Sequence, residues 1–144
     1  QWNDEENAGF TVGNPWLKVR DDYREVNVKK QWEEENSLLS YYKKLIRLRK
    51  EEAFADIMQE GGFIPLLEKE QGVIAYKRNH EDKALIVLVN LQNRKAALEP
   101  GLCRKVLGDA FGKKPLLGNY SGVEIEGGKV ILQPYQALVI AAGM

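Results

Sequence analysis

The stretch Val123-Glu124-Ile125-Glu126-Gly127-Gly128-Lys129-Val130-Ile131-Leu132 decides how the chain is read. Apolar and charged residues alternate through Val123–Glu126, two glycines follow, and an apolar return begins at Lys129. Alternation of period two buries one set of side chains and wets the other, and paired glycines supply the positive φ angles of a tight hairpin turn. Working outward, the same grammar recurs. Candidate strands run from Phe63 to Glu68, Val73 to Lys77, Ala84 to Leu91, Ala96 to Leu98, Arg104 to Leu107, Leu116 to Tyr120 and Tyr135 to Ala141. Turn signals part them: Gln71-Gly72, Asn79-His80-Glu81-Asp82, Pro100-Gly101, a Gly-rich loop from Gly108 to Pro115, and Pro134. About eight short strands with turns every 8–12 residues predict an antiparallel β-sandwich. No helix-length segment separates them, which argues against parallel βαβ topology.

Upstream of this β region the pattern changes. Residues Asn36 to Glu52 predict a helix, with Asn36 or Ser37 as N-cap and Glu33, Glu34 and Glu35 ahead of it at the positive end of the dipole. Leu38, Tyr42, Leu45, Ile46 and then Arg49 fall on one face, widened by Leu39 and Leu48. Ala53 to Glu60 reads either as a continuation or as a second short turn, ended by Gly61-Gly62. Residues 1 to about 35 show no period. They carry the turn signals Asn7-Ala8-Gly9, Gly13-Asn14-Pro15 and Asp21-Asp22, and five aromatics: Trp2, Phe10, Trp16, Tyr23 and Trp32. Aromatic faces stack on sugars and other ligands, and they also fill domain contacts; the arm reads as packing first. So long an irregular segment suits a stretch that lies against something larger.

Composition narrows the function classes. The 144 residues hold 21 Lys and Arg against 21 Asp and Glu, so there is no basic footprint for nucleic acid or an anionic membrane. Hydrophobic residues make up 44% and charged residues 29%, ordinary globular values. The single cysteine, Cys103, excludes an intrachain disulfide and favours a reducing, cytoplasmic setting. One histidine and one cysteine cannot furnish a His/Cys zinc site without carboxylates. The longest apolar stretch, Ala84 to Val89, is strand length rather than membrane length. The chain begins with Gln and carries no signal-peptide pattern, and reads as a piece of a longer protein.

Each candidate for chemistry has a plainer explanation. His80 is the only base available to a nucleophile, and it reads as an exposed turn residue. Cys103, beside Arg104 and Lys105, reads as a small buried filler in a strand. Gly108-Asp109-Ala110-Phe111-Gly112-Lys113-Lys114 lacks the spacing and following helix of a phosphate loop. Lys43, Lys44, Arg47, Arg49 and Lys50 read as a solvated helix face. Glu124 and Glu126 read as the wet face of an edge hairpin, Glu33 to Glu35 as a pre-helix run, and Asp4, Glu5 and Glu6 as loop acids. None has the apolar setting that raises a carboxyl pKa for acid catalysis. No catalytic, cofactor-binding or metal-ligating residue is assigned, and no cofactor is expected.

A resemblance then supplies what composition does not. Gln1-Trp2-Asn3-Asp4-Glu5-Glu6-Asn7-Ala8-Gly9-Phe10-Thr11, followed by Pro15-Trp16-Leu17-Lys18-Val19, resembles a signature of the α-amylase family, glycoside hydrolase family 13. It is most similar to the branch of oligo-1,6-glucosidases, α-glucosidases and dextran glucosidases. Asn3 stands where many members carry Asp. Tyr23 to Val28, the helix from Ser37 to Lys50, Ala75 to Arg78, Leu85 to Asn90 and the close Leu132 to Val139 continue the likeness.

The resemblance implies the end of a catalytic (β/α)8 barrel over residues 1–60 and a C-terminal β-sandwich over 61–144, of the α-amylase domain C type with Greek-key connections. The fold class expected is mainly β, preceded by one helix and an irregular arm left over from the barrel. The implied activity is retaining hydrolysis of α-1,6- and α-1,4-linked gluco-oligosaccharides by two carboxylates that lie outside this chain. Trp2 and Phe10 would lie near outer subsites. The implied partner is an oligosaccharide held by the missing barrel, with no nucleic acid and no membrane. The chain alone would be inert, with self-association through the exposed helix face or a disordered arm. Three other readings stay open: a carbohydrate-binding module using exposed aromatics such as Tyr120 or Tyr135; a domain of a trehalose synthase or sucrose isomerase; and a non-enzymatic glycosidase-like protein, such as the ectodomain of an amino-acid transporter heavy chain.

Overall fold

The computed structural model of the chain describes residues 1–143 and divides into two compact units, Gln1–Leu48 and Arg49 onward. In the first unit, α1 spans Val28–Glu33; α2 spans Leu38–Lys50, beginning in that unit and ending two residues past its last residue. Buried Asn27 caps α1: its Oδ1 accepts from the Lys30 N–H at 2.9 Å while its Nδ2 donates to the Tyr23 carbonyl at 2.8 Å. Ser37, one of the two predicted caps, starts α2 by accepting from the Ser40 N–H at 3.1 Å. The arm is therefore partly helical, and Glu33 ends α1 instead of leading into α2. The predicted stripe of α2 is open to solvent, with Leu38 66%, Tyr42 57% and Ile46 52% exposed.

In the second unit, α3 spans Glu52–Gln59. It is separate from α2 because Glu51 takes an extended conformation, φ −68° and ψ 129°. Eight strands follow: β1 Gly62–Pro65, β2 Val73–His80, β3 Lys83–Asn90, β4 Ala96–Leu98, β5 Leu117–Gly118, β6 Glu124–Glu126, β7 Lys129–Leu132 and β8 Ala137–Ala142. They form a five-stranded sheet ordered β1-β2-β3-β8-β5 and a three-stranded sheet ordered β4-β7-β6. Every pairing is antiparallel. The opening hairpin is β6–β7, with Glu126 opposite Lys129 and Gly127 and Gly128 at φ 57° and 79°.

Both sheets feed one apolar core. Leu88, Leu138 and Ile140 come from the larger sheet, and Leu98, Val130 and Leu132 from the smaller. Buried Asn90 ties the two together, its Nδ2 donating to the carbonyls of Arg94 at 2.8 Å and Gln133 at 2.9 Å.

The structure corrects several expected boundaries. Four helices occur among the described residues, not one. The expected strand Arg104–Leu107 is part of α4, Pro100–Leu107. Pro100 opens that helix and Gly108 follows its end, while Cys103, Val106 and Leu107 recur at helical spacing and enter the core. A helix does therefore lie between two strands, although the sheets remain antiparallel. β2 runs on to His80, so the turn is only Glu81-Asp82. β1 and β5 are shorter than Phe63–Glu68 and Leu116–Tyr120.

Candidate functional site

The aromatic arm is a built loop. The Trp2 N–H donates to the Ala8 carbonyl at 2.9 Å, and Ala8 is fully buried. Asn7, Ala8 and Gly9 take successive left-handed conformations, φ 55°, 54° and 72°. Asn3 Oδ1 accepts from the Glu5 N–H at 3.1 Å, and the Asn3 side chain lies against Gly9. Asn7 Nδ2 donates to the carbonyls of Thr11 and Gly13. Short amide side chains thus satisfy the backbone that a left-handed run leaves free.

This loop presents its rings outward. Trp2 and Phe10 meet edge to face with centroids 6.5 Å apart. Phe10, Pro15, Trp16 and Leu17 line an open cleft of about 370 Å³. Trp32 carries the Lys43 ammonium 3.6 Å above its ring, a cation–π contact. The arm offers stacking surface and no nucleophile–base pair.

The remaining candidates prove structural. Cys103 is fully buried and its Sγ–H donates to the Leu98 carbonyl at 3.1 Å; it fills core from a helix rather than a strand. His80 lies at the end of β2, with Nε2 3.6 Å from Glu60 Oε2 and no nucleophile attached. The Gly108–Lys114 loop opens as a 3-10 turn, Gly108–Ala110. Its Asp109 accepts from the Gly143 N–H at 3.0 Å and from Lys113 Nζ at 3.1 Å. Lys44 of the basic helix face reaches Glu35 and Lys43 lies over Trp32, while Arg47, Arg49 and Lys50 are exposed.

Carboxylate electrostatics run against acid catalysis. The Lys95 ammonium, 2.9 Å away, and the Gln133 amide hold Glu124 below the usual glutamate range. Lys29 lowers Asp4, Arg20 lowers Asp22, and the Gly143 N–H with Lys113 lowers Asp109. These are wet, paired anions, suited to staying ionised. Among the described residues no cluster of His, Cys, Asp and Glu could hold a metal. No described helix is long and apolar enough to cross a membrane. Tyr120 and Tyr135 are 43% and 60% exposed, but they stand on loops beside β5 and β8 rather than on a sheet face.

Two features escaped the sequence reading. The clasp of Asn3 on Gly9 had a signal in the Asn-Ala-Gly run. The Lys43–Trp32 contact spans two helices and had none.

Comparison with known proteins agrees with this geometry. The Alpha-amylase family, described as alpha amylase, catalytic domain, matches residues 1–61. The oligo-1,6-glucosidase of Parageobacillus thermoglucosidasius is 39% identical over 142 residues, which is 96% of this chain and 24% of that protein. The crystal structure of a trehalose-6-phosphate hydrolase from Bacillus licheniformis superposes with a TM-score of 0.80 at 35% identity, over 98% of this chain and 24% of that one. An isomaltulose synthase from Klebsiella gives a TM-score of 0.77 at 29% identity, again over 98% and 24%. The chain spans about a quarter of the length of the relatives it matches. With the Gln1–Thr11 clasp, the helices and the antiparallel sheets all falling within these matches, the chain belongs to the α-amylase family.

Proposed function

We propose that this chain is the C-terminal part of an α-glucosidase that hydrolyses α-1,6- and α-1,4-linked gluco-oligosaccharides with retention of configuration. The observation that carries the reading is the match of nearly the whole chain to only 24% of an oligo-1,6-glucosidase. In this reading the nucleophile and the acid/base stand on the other three-quarters. Residues 1–60 close the barrel and residues 61–144 form a sandwich that caps and stabilises it. Supporting that boundary, the catalytic-domain match ends at residue 61 and β1 begins at Gly62. Supporting the sandwich, the five- and three-stranded sheets share one core. A cytoplasmic enzyme is part of the same reading, which the free, buried Cys103 of this chain supports. Produced alone, the chain would be inert and would self-associate through Leu38, Tyr42 and Ile46.

The test is product stereochemistry. Full-length protein given p-nitrophenyl α-glucoside should release glucose first as the α-anomer, followed by proton NMR. Release of the β-anomer would overturn retention. A second reading, sugar isomerisation, is favoured by the likeness to an isomaltulose synthase. Conversion of sucrose to an isomer in preference to hydrolysis would select it.

A further inference from the structure

The hydrogen bonds that fix one end of the second unit also fix two exposed rings. Tyr135 stands between β7 and β8 at φ 54°, a left-handed conformation that a residue with a bulky side chain adopts at a cost. Its N–H donates to the Gln92 carbonyl at 3.0 Å, and its carbonyl accepts from Asn119 Nδ2 at 2.8 Å. Asn119 Oδ1 accepts in turn from the Ala137 N–H at 2.8 Å. The Tyr120 hydroxyl donates to the Pro134 carbonyl at 2.8 Å. The segment after β5 is thus laced to the turn before β8, and the backbone under Tyr135 and the ring of Tyr120 are set in place before any ligand arrives. Both rings stay exposed, so burying the Tyr135 ring does not offset the strain beneath it. We propose that this end of the second unit binds a neutral gluco-oligosaccharide, with the Tyr120 and Tyr135 ring faces as stacking platforms and Arg94 and Glu124 as the hydrogen-bonding rim.

The rim is built from the neighbouring connections. Arg94 lies between β3 and β4, where its Nε donates to Gln92 Oε1 at 2.7 Å, so the residue that receives the Tyr135 N–H also holds the guanidinium. The rest of that exposed guanidinium makes no hydrogen bond among the described residues. Glu124 opens β6, and Gln133, two residues before Tyr135, donates to its carboxylate at 2.6 Å. Lys95 and Gln133 keep that carboxylate ionised, a standing acceptor. A pyranose ring presents an apolar C–H face and a belt of hydroxyls, and so asks for an aromatic face beside planar donors and acceptors. Other ligands fit worse. A single guanidinium beside a carboxylate is not the cation cluster that captures phosphate or acidic peptides. An apolar partner needs a continuous apolar patch, and here amide and guanidinium groups stand among the rings. The choice of glucose units rests on the glucosidase reading above.

The test replaces Tyr135 of the full-length protein with fluorotyrosine and follows the fluorine resonance as thio-linked isomaltotriose, which resists glycosidase cleavage, is added. A saturable shift is expected. Arg94→Met should weaken it about tenfold, the worth of a hydrogen bond to a charged group. Glu124→Gln, which removes the ionised acceptor and keeps its bulk, should weaken it in the same direction. No shift would overturn the proposal. An equal shift from hexanediol would also overturn it, by marking a non-specific apolar patch. So would a shift that both variants leave intact, because the ring would then report a sugar held elsewhere in the polypeptide. Isomaltose hydrolysis by the unlabelled protein reports separately on the glucosidase reading: turnover without a ring shift sinks only the site, and a ring shift without turnover sinks only that reading.

Discussion

At the scale of single residues, conformation and charge each make a checkable claim. Gly9 sits at φ 72°, and a Cβ there would come within 2.9 Å of the Asn3 side chain. Gly9→Ala should cost about 1–2 kcal/mol from left-handed strain alone. Displacement of Asn3 would then loosen the Trp2–Phe10 corner, seen as faster amide exchange at Trp2. Asp109 makes the charge claim. Its carboxylate is held below the ordinary aspartate range, first by the Gly143 N–H and then by Lys113. A depressed carboxylate stabilises the fold above its unfolded pKa and loses that contribution as pH falls through its folded value. Asp109→Asn should therefore be less stable than wild type at pH 7, and the two should converge below about pH 4. Thermal melts across pH read the difference; a gap that widens on acidification would contradict the sign.

Among elements, α4 separates what was legible from what was not. Leu107 is 2% exposed inside the shared core, so Leu107→Ala should cost about 2–5 kcal/mol in urea unfolding. A cost under about 1 kcal/mol would mean that α4 is a surface turn. The β2, β3, β7 and β8 strands could be read directly because β-branched residues cluster there and sharp turns bound them. The helix α2 could be read because its stripe is long enough to show a period. Neither signal existed for α4 or α1, of eight and six residues. Short helices are specified by caps and tertiary packing rather than by periodicity. Pro100 and Gly108 marked the ends of α4, but Cys103 and Val106 read equally well as strand. His80 was drawn into a turn because four polar residues stood together, whereas pairing with Lys83 keeps it in β2.

For the whole molecule, the apolar surfaces are the main evidence of incompleteness. The α2 stripe and the large-sheet residues Phe63 and Ile74 remain open, in two units that each have ordered polar networks of their own. Such surfaces in a chain of balanced charge mark contacts rather than catalysis. Cys103 was legible as a buried filler, since a lone cysteine packs before it reacts. The clasp around Ala8 needed three dimensions, since it depends on residues opposed across a loop. The central claim is that catalysis belongs to the rest of the polypeptide. It is tested most directly by assaying the 144-residue chain beside the full-length protein on isomaltose and p-nitrophenyl α-glucoside. The account predicts turnover by the full-length protein and none by the chain; turnover by the chain alone would contradict it.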